Sequence, residues 1–153
     1  MNQPSGSSSA YKRLAECLWT AREIVFFTGA GLSAESGLPT FRDGDKGYWN
    51  HLNPEETASL QAFQSDPERV MAWYAERKRI VDNARPNASH QAIAQLENHF
   101  ADKRISVVTQ NVDGYHGAVG SRRIVELHGT IHRLRCHARC GYVRPWVLPS
   151  LAE

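Results

Sequence analysis

The chain has 153 residues, 41% hydrophobic and 22% charged, which suffices for one domain with a real core and is ordinary for a globular protein. A formal net charge of +2 does not mark out a nucleic-acid binder, and no stretch approaches the ~20 apolar residues that span a bilayer. Three cysteines, one of them isolated at Cys17, make no disulfide framework, so the expectation is a soluble, cytoplasmic protein with reduced thiols.

Met1–Ser9 (MNQPSGSSS) is polar and Ser/Gly-rich and reads as a disordered leader over residues 1–9, without the basic-then-apolar order of a secretory signal. Ala10 to Arg22 places Leu14, Cys17, Leu18 and Ala21 at helical spacing, with Ser9 available as N-cap. Ile24-Val25-Phe26-Phe27 is a short β-forming run that ends abruptly in Thr28-Gly29-Ala30-Gly31. Because it is apolar throughout, it suggests a central strand buried on both faces of a parallel sheet. Ser36 to Trp49 reads as an ordered loop. Asn53-Pro54-Glu55-Glu56 offers a cap, a proline at the first helical position and an acid at the third. Asp66-Pro67-Glu68 repeats the device, and Val70, Trp73, Tyr74, Arg77, Ile80 and Val81 then share a helical face. A further helix spans roughly Ser89 to Phe100, aligning Ile93, Leu96 and Phe100. Ile105–Thr109 and Arg123–Leu127 read as second and third strands. The basic stretch Arg133, Arg135, His137, Arg139 and Arg144 reads as a solvated ribbon, with no specific nucleic-acid partner.

All three predicted strands run into chemically loaded residues: the glycine turn, Gln110-Asn111-Val112-Asp113, and His128-Gly129. In open α/β sheets ligands bind beyond the carboxyl ends of the strands. Gly29-Ala30-Gly31-Leu32-Ser33-Ala34 fits the G-x-G-x-x-A dinucleotide fingerprint, whose glycines permit a tight turn and let backbone amides approach a pyrophosphate. A ligand-free turn of small residues would look the same. No acid-ended second strand follows about 20 residues on, which disfavours a hydride-transferring Rossmann enzyme. Asn111 and Asp113, two apart, point the same way on extended backbone. His128 has the side-chain type of a general base near neutral pH.

Gly29 through Arg42 (GAGLSAESGLPTFR) resembles the cofactor loop of the sirtuins, Thr109-Gln110-Asn111-Val112-Asp113 the family's second signature, and Leu127-His128-Gly129 its third, in the family's order. The resemblance covers roughly residues 11 to 145. It implies an NAD-dependent protein lysine deacylase that gives nicotinamide and O-acyl-ADP-ribose from acylated-lysine protein substrates. The implied catalytic residues are His128, Asn111 and Asp113, with His128 as base. NAD would be held by Gly29, Ala30, Gly31, Ser33, Ala34, Glu35, Pro39, Thr40, Phe41, Arg42, Gln110, Asn111 and Asp113. Tyr74 and Arg77 match the Tyr-x-x-Arg of the subgroup that removes malonyl and succinyl groups, where an arginine fork and a phenol suit a carboxylate.

The implied fold is α/β: a partial Rossmann-like parallel sheet with flanking helices and an incomplete zinc-ribbon-like module. It would divide into the leader, an NAD-binding part over 10–131 with a helical insertion at about 53–85, and a remnant zinc module over 132–153. The family's structural zinc takes four cysteines, whereas this sequence offers Cys136 and Cys140 with three residues between them. The strands with which the family continues its sheet would lie beyond Glu153, so unpaired edges and poor independent stability are expected. A catalytically dead fragment acting as a binding protein, and an NAD-dependent ADP-ribosyltransferase, stand as alternatives.

Overall fold

A computed structural model describes residues 5–39 and 57–148. Helix α1 (Ser5–Thr20) starts five residues before Ala10, so the leader reading fails over its second half and Ser9 lies inside the helix rather than at its cap. Once a helix is nucleated, each added residue gains a hydrogen bond, and even weak helix formers are drawn in. The far end of α1 is stapled from a distance: Lys103 Nζ donates to the carbonyls of Trp19 (2.5 Å) and Ala21 (2.7 Å). Trp19 meets Phe100 edge to face, with ring centroids 5.8 Å apart.

Strands β1 (Glu23–Thr28), β2 (Arg104–Thr109) and β3 (Ile124–Glu126) form a parallel sheet in the order β1-β2-β3. The register sets Thr28 opposite Thr109 and Thr109 opposite Glu126, so the carboxyl ends of all three strands finish level. One face is buried through Ile24, Ile105 and Val107, the last two only 1% exposed. The other is bare: Val25, Phe27 and Val125 are all more than half exposed. The expectation of a central strand buried on both faces is therefore corrected. Among the described residues β1 is an edge strand, and side-chain alternation puts Val25 and Phe27 on a face that no described element covers.

The described part of the crossover from β1 to β2 is mainly helical. After α2 (Ala30–Ala34) come α3 (Leu60–Ser65), α4 (Pro67–Asn83) and α5 (Ala88–His99). Ser59 caps α3 by accepting from the Ala62 amide. Asp66 caps α4 by accepting from Arg69 N at 3.0 Å, with Pro67 in the first turn as the sequence implies. The predicted start at Asn53–Glu56 lies outside the described residues. On α4 the buried positions are Val70, Lys78 and Val81, so a lysine shares the inward face. Helix α5 begins ahead of the predicted Ser89 because Asn87 accepts from the Ser89 and His90 amides while His90 Nδ1 accepts from Asn87 N, a reciprocal cap.

A single turn, α6 (Tyr115–Ala118), follows β2, and a hairpin of β4 (Arg133–Arg135) and β5 (Val143–Pro145) closes the described chain. Val81, Tyr115 and Ile131 form a core cluster against which Leu38, Val112 and Trp146 pack, so the segment around the hairpin joins the main core. No helix among the described residues is long and apolar enough to cross a membrane.

Candidate active site

Where β1 ends, Gly29 is extended (φ −145°, ψ −169°) and leads into α2. Among the described residues, a Cβ built on Gly29 or on Gly31 would find nothing within 4 Å, so no described group stands over the turn's backbone. Ala30, Gly31 and Ala34 lie in α2 and Glu35 caps its end, while Pro39 is exposed in the coil beyond. Thr40, Phe41 and Arg42 lie outside the described residues.

Ser33 turns inward from α2 and is 2% exposed. Its hydroxyl donates to Asp113 Oδ2 at 2.7 Å and accepts from Asn111 Nδ2 at 3.0 Å. Asn111 Nδ2 also reaches the Gly29 carbonyl at 3.0 Å, and Asp113 Oδ1 accepts from Tyr115 N at 3.0 Å. The backbone is tied in parallel: Gln110 N donates to Thr28 O, and Asn111 N to Thr109 Oγ1, both at 3.0 Å. Asn111 and Asp113 do converge as their spacing implies, but on Ser33. Both carboxylate oxygens and the amide nitrogen are thus used inside the protein, and what the pair achieves first is to clamp the glycine turn to the end of β2.

Two histidines that sequence reasoning missed complete this buried layer. His116 Nε2 lies 3.0 Å from Thr28 Oγ1, and the His90 ring centroid is 5.0 Å from that of His116. His90 is fully buried and His116 is 3% exposed. Burial pushes both imidazoles below their ordinary titration range. For His116 the neighbouring His90 pushes the same way, and the negative charge of Asp113 partly opposes the shift in both. Two signals were readable: Asn87 three residues before His90 is a reciprocal cap, and His116 follows Asp113 by one short turn.

His128 is exposed in the turn after β3. That turn is anchored by Leu127 N to Thr109 O (2.9 Å) and Gly129 N to Glu126 O (3.3 Å), which holds it at the same edge of the sheet as the Ser33 cluster. A cavity of about 250 Å³ opens there, lined by Thr109, Asn111, Asp113, His116, Ile124 and Glu126.

Tyr74 and Arg77 are neighbours on α4, but neither hydrogen-bonds to the Ser33 cluster among the described residues. Arg77 folds back so that its guanidinium carbon lies 3.1 Å from the Trp73 ring centroid, and its Nη1 donates to Trp73 O. Burial raises the Tyr74 hydroxyl above its ordinary range and the nearby Arg77 charge pulls it back.

Cys136 and Cys140 come together beside the hairpin, and hydrogen bonds from Cys140 hold the Cys136 thiol below its usual range. No group of three or more His, Cys, Asp or Glu able to hold a metal exists among the described residues. Two thiols do not make a closed tetrahedral site, so these residues do not fit structural zinc, and the zinc-ribbon expectation reduces to the β4–β5 hairpin.

The family model described as "Sir2 family" matches residues 29–147. An "NAD-dependent protein deacylase 2" of Pyrobaculum aerophilum is 51% identical over 130 residues, which cover 85% of this chain and 51% of that protein. An "NAD-dependent protein deacylase 1" of Caldanaerobacter subterraneus is 47% identical, covering 86% of this chain and 53% of its own length. Among solved structures, a Sir2 homologue in complex with NAD superposes with a TM-score of 0.78 at 44% identity, covering 88% of this chain and 51% of that one. A mutant Sir2 homologue in complex with ADP-ribose gives 0.82 at 43% identity, covering 92% and 55%. The chain thus spans about half the length of the curated relatives it matches. On the family match and these identities together, the chain belongs to the Sir2 family, the sirtuins.

Proposed function

We propose that this chain carries the NAD-handling, catalytic-base half of an NAD-dependent protein lysine deacylase that acts on acylated-lysine proteins in the cytoplasm. The observation that supports this most is the Ser33–Asn111–Asp113 clamp. It fixes the open glycine turn and the end of β2 in one rigid unit, on the sheet edge where the His128 turn also lies. The residues fit NAD: among the described residues nothing stands over the backbone at Gly29 and Gly31, and Asn111, which bonds to Gly29, also lines a cavity with hydroxyl and carboxylate groups. NAD would supply a ribose carbon made reactive by loss of nicotinamide. Gly29–Gly31 would meet its phosphates with backbone amides, since the first amides of a helical turn have no partner within it. Asn111 would offer the oxygen that the clamp leaves unused. His128, exposed in the turn that starts beyond Glu126 of the cavity lining, would take a proton from a ribose hydroxyl.

Tyr74 beside Arg77 supports selection of malonyl or succinyl groups by a phenol and a guanidinium. The bare sheet face at Val25, Phe27 and Val125 favours a second reading, a binding protein without turnover. The test is nicotinamide release from NAD by the 153-residue chain with an acetylated or succinylated peptide, beside His128→Ala and a peptide-free control. Peptide-dependent release that is lost in the variant is expected. Release that survives in His128→Ala overturns the role of the base, and label from NAD appearing on protein would indicate ADP-ribosyl transfer instead.

A further inference from the structure

Outside the clamp, the described residue with the least expected burial is Lys78, 5% exposed on the inner face of α4. Its ammonium donates to both oxygens of Asp82, at 2.9 Å each, and faces His132 Nδ1 at 3.5 Å. The other nitrogen of that ring, Nε2, lies 2.7 Å from the carbonyl oxygen of Asp113. A carbonyl can only accept, so Nε2 carries the hydrogen and Nδ1 is the acceptor facing the lysine. Every polar atom of the group then has a partner, and the ring has one tautomer.

The ring is also aimed. Its main chain is pinned on both sides, by Ile131 N to Val112 O (2.9 Å) and Trp146 N to His132 O (2.8 Å). It lies flat enough on Gly114 that a Cβ there would meet His132 Cδ2 at 3.0 Å and Nε2 at 3.1 Å. Gly114 has φ +73°, and glycine is the residue with the most backbone freedom to lose. The peptide between Asp113 and Gly114 is therefore the joint at which the Asp113 carboxylate could swing away from Ser33.

We propose that His132, oriented by Lys78 and Asp82, is a positioning residue. By donating to the Asp113 carbonyl and covering Gly114, it locks the joint and keeps the carboxylate on the Ser33 hydroxyl and the Tyr115 amide. The ring itself lines a second cavity, with Asp82, Asp113 and Gly114. Neither Lys78 nor His132 lines the cavity of about 250 Å³ beside the clamp, so His132 acts on a ligand there through Asp113. That last step rests on the proposed NAD site; the lock itself does not.

The test has two arms. In isotope-labelled wild-type protein, the His132 ring should appear in magnetic resonance as the Nε2–H tautomer in mildly alkaline buffer; the Nδ1–H form or averaging between forms overturns the proposal without any variant. His132→Leu should shift the Gly114 and Tyr115 amide resonances, and His132→Gln, whose amide can still donate to Asp113 O, should restore them at equal thermal stability. Unmoved resonances in His132→Leu also overturn it. In the second arm, NAD binding should weaken about ten-fold in His132→Leu and stay within roughly two-fold in His132→Gln, the scale of one lost buried hydrogen bond. A wild-type chain that binds no NAD refutes the NAD site, and the lock then stands or falls on the resonances alone.

Discussion

Replacing Ser33 by alanine removes a hydroxyl that is 2% exposed and donates at 2.7 Å to a carboxylate that is 5% exposed. Hydrogen bonds to charged groups contribute about 1.5–3 kcal/mol, and the unmatched buried carboxylate oxygen places this one toward the upper end. Asn111 loses one acceptor but keeps the Gly29 carbonyl, so little is added from that side. A loss of about 2–3 kcal/mol is expected, and for a chain of this length that lowers the thermal midpoint by about 5–10 °C. The decisive assay is a double-mutant cycle by urea unfolding with Ser33→Ala, Asp113→Ala and both together. Once one partner is gone the other has lost its match, so the double variant should be more stable than the summed single losses predict, by roughly 1.5–3 kcal/mol. Additivity within about 0.5 kcal/mol would show that the two side chains do not act as a unit, and the clamp reasoning would fail.

Below the ordinary imidazole value of 6.5, the unfolded chain takes up protons that buried His90 and His116 resist. Their contribution is complete above that value and is lost as pH falls from it toward their lowered folded values; a urea midpoint that stays flat through this window would refute the assignment. Gly114→Ala combines an unfavourable φ of +73° with a Cβ 3.0 Å from the His132 ring. It should cost about 2 kcal/mol, and the steric part should be relieved in a Gly114→Ala, His132→Ala double variant; a fully stable single variant contradicts the geometry. In an active protein Arg77→Met should depress desuccinylation far more than deacetylation, and equal loss of both would remove Arg77 as a reader of the acyl carboxylate.

Local signals were faithful where the physics is local. The Asp66-Pro67 start of α4 and the three strands ending in the glycine turn, Gln110–Asp113 and His128 could all be read from neighbouring residues. What escaped depends on partners far along the chain. Nothing near His116 announces that its ring meets Thr28, 88 positions earlier, and nothing near Lys78 announces the ring of His132. Val25 and Phe27 show a different limit. Composition reports that a strand can be covered on both faces, whereas coverage depends on elements elsewhere in the protein. The role of Asn111 and Asp113 was half legible: their convergence followed from the spacing, but that they meet on the Ser33 hydroxyl did not.

The parallel register that sets Glu23 beside Arg104 has a kinetic side. Strands β1 and β2 meet only after the whole stretch of chain between them has been drawn into a closed loop, and the Ser33–Asp113 bond joins residues 80 positions apart across that same loop. Loop-closure entropy must be met before any of these contacts can contribute, so this half of the sheet assembles late and slowly compared with the helices that bridge it. In hydrogen exchange, the Phe27 and Val108 amides should therefore open in one cooperative event with the clamp, while the exposed turns of α3 exchange independently.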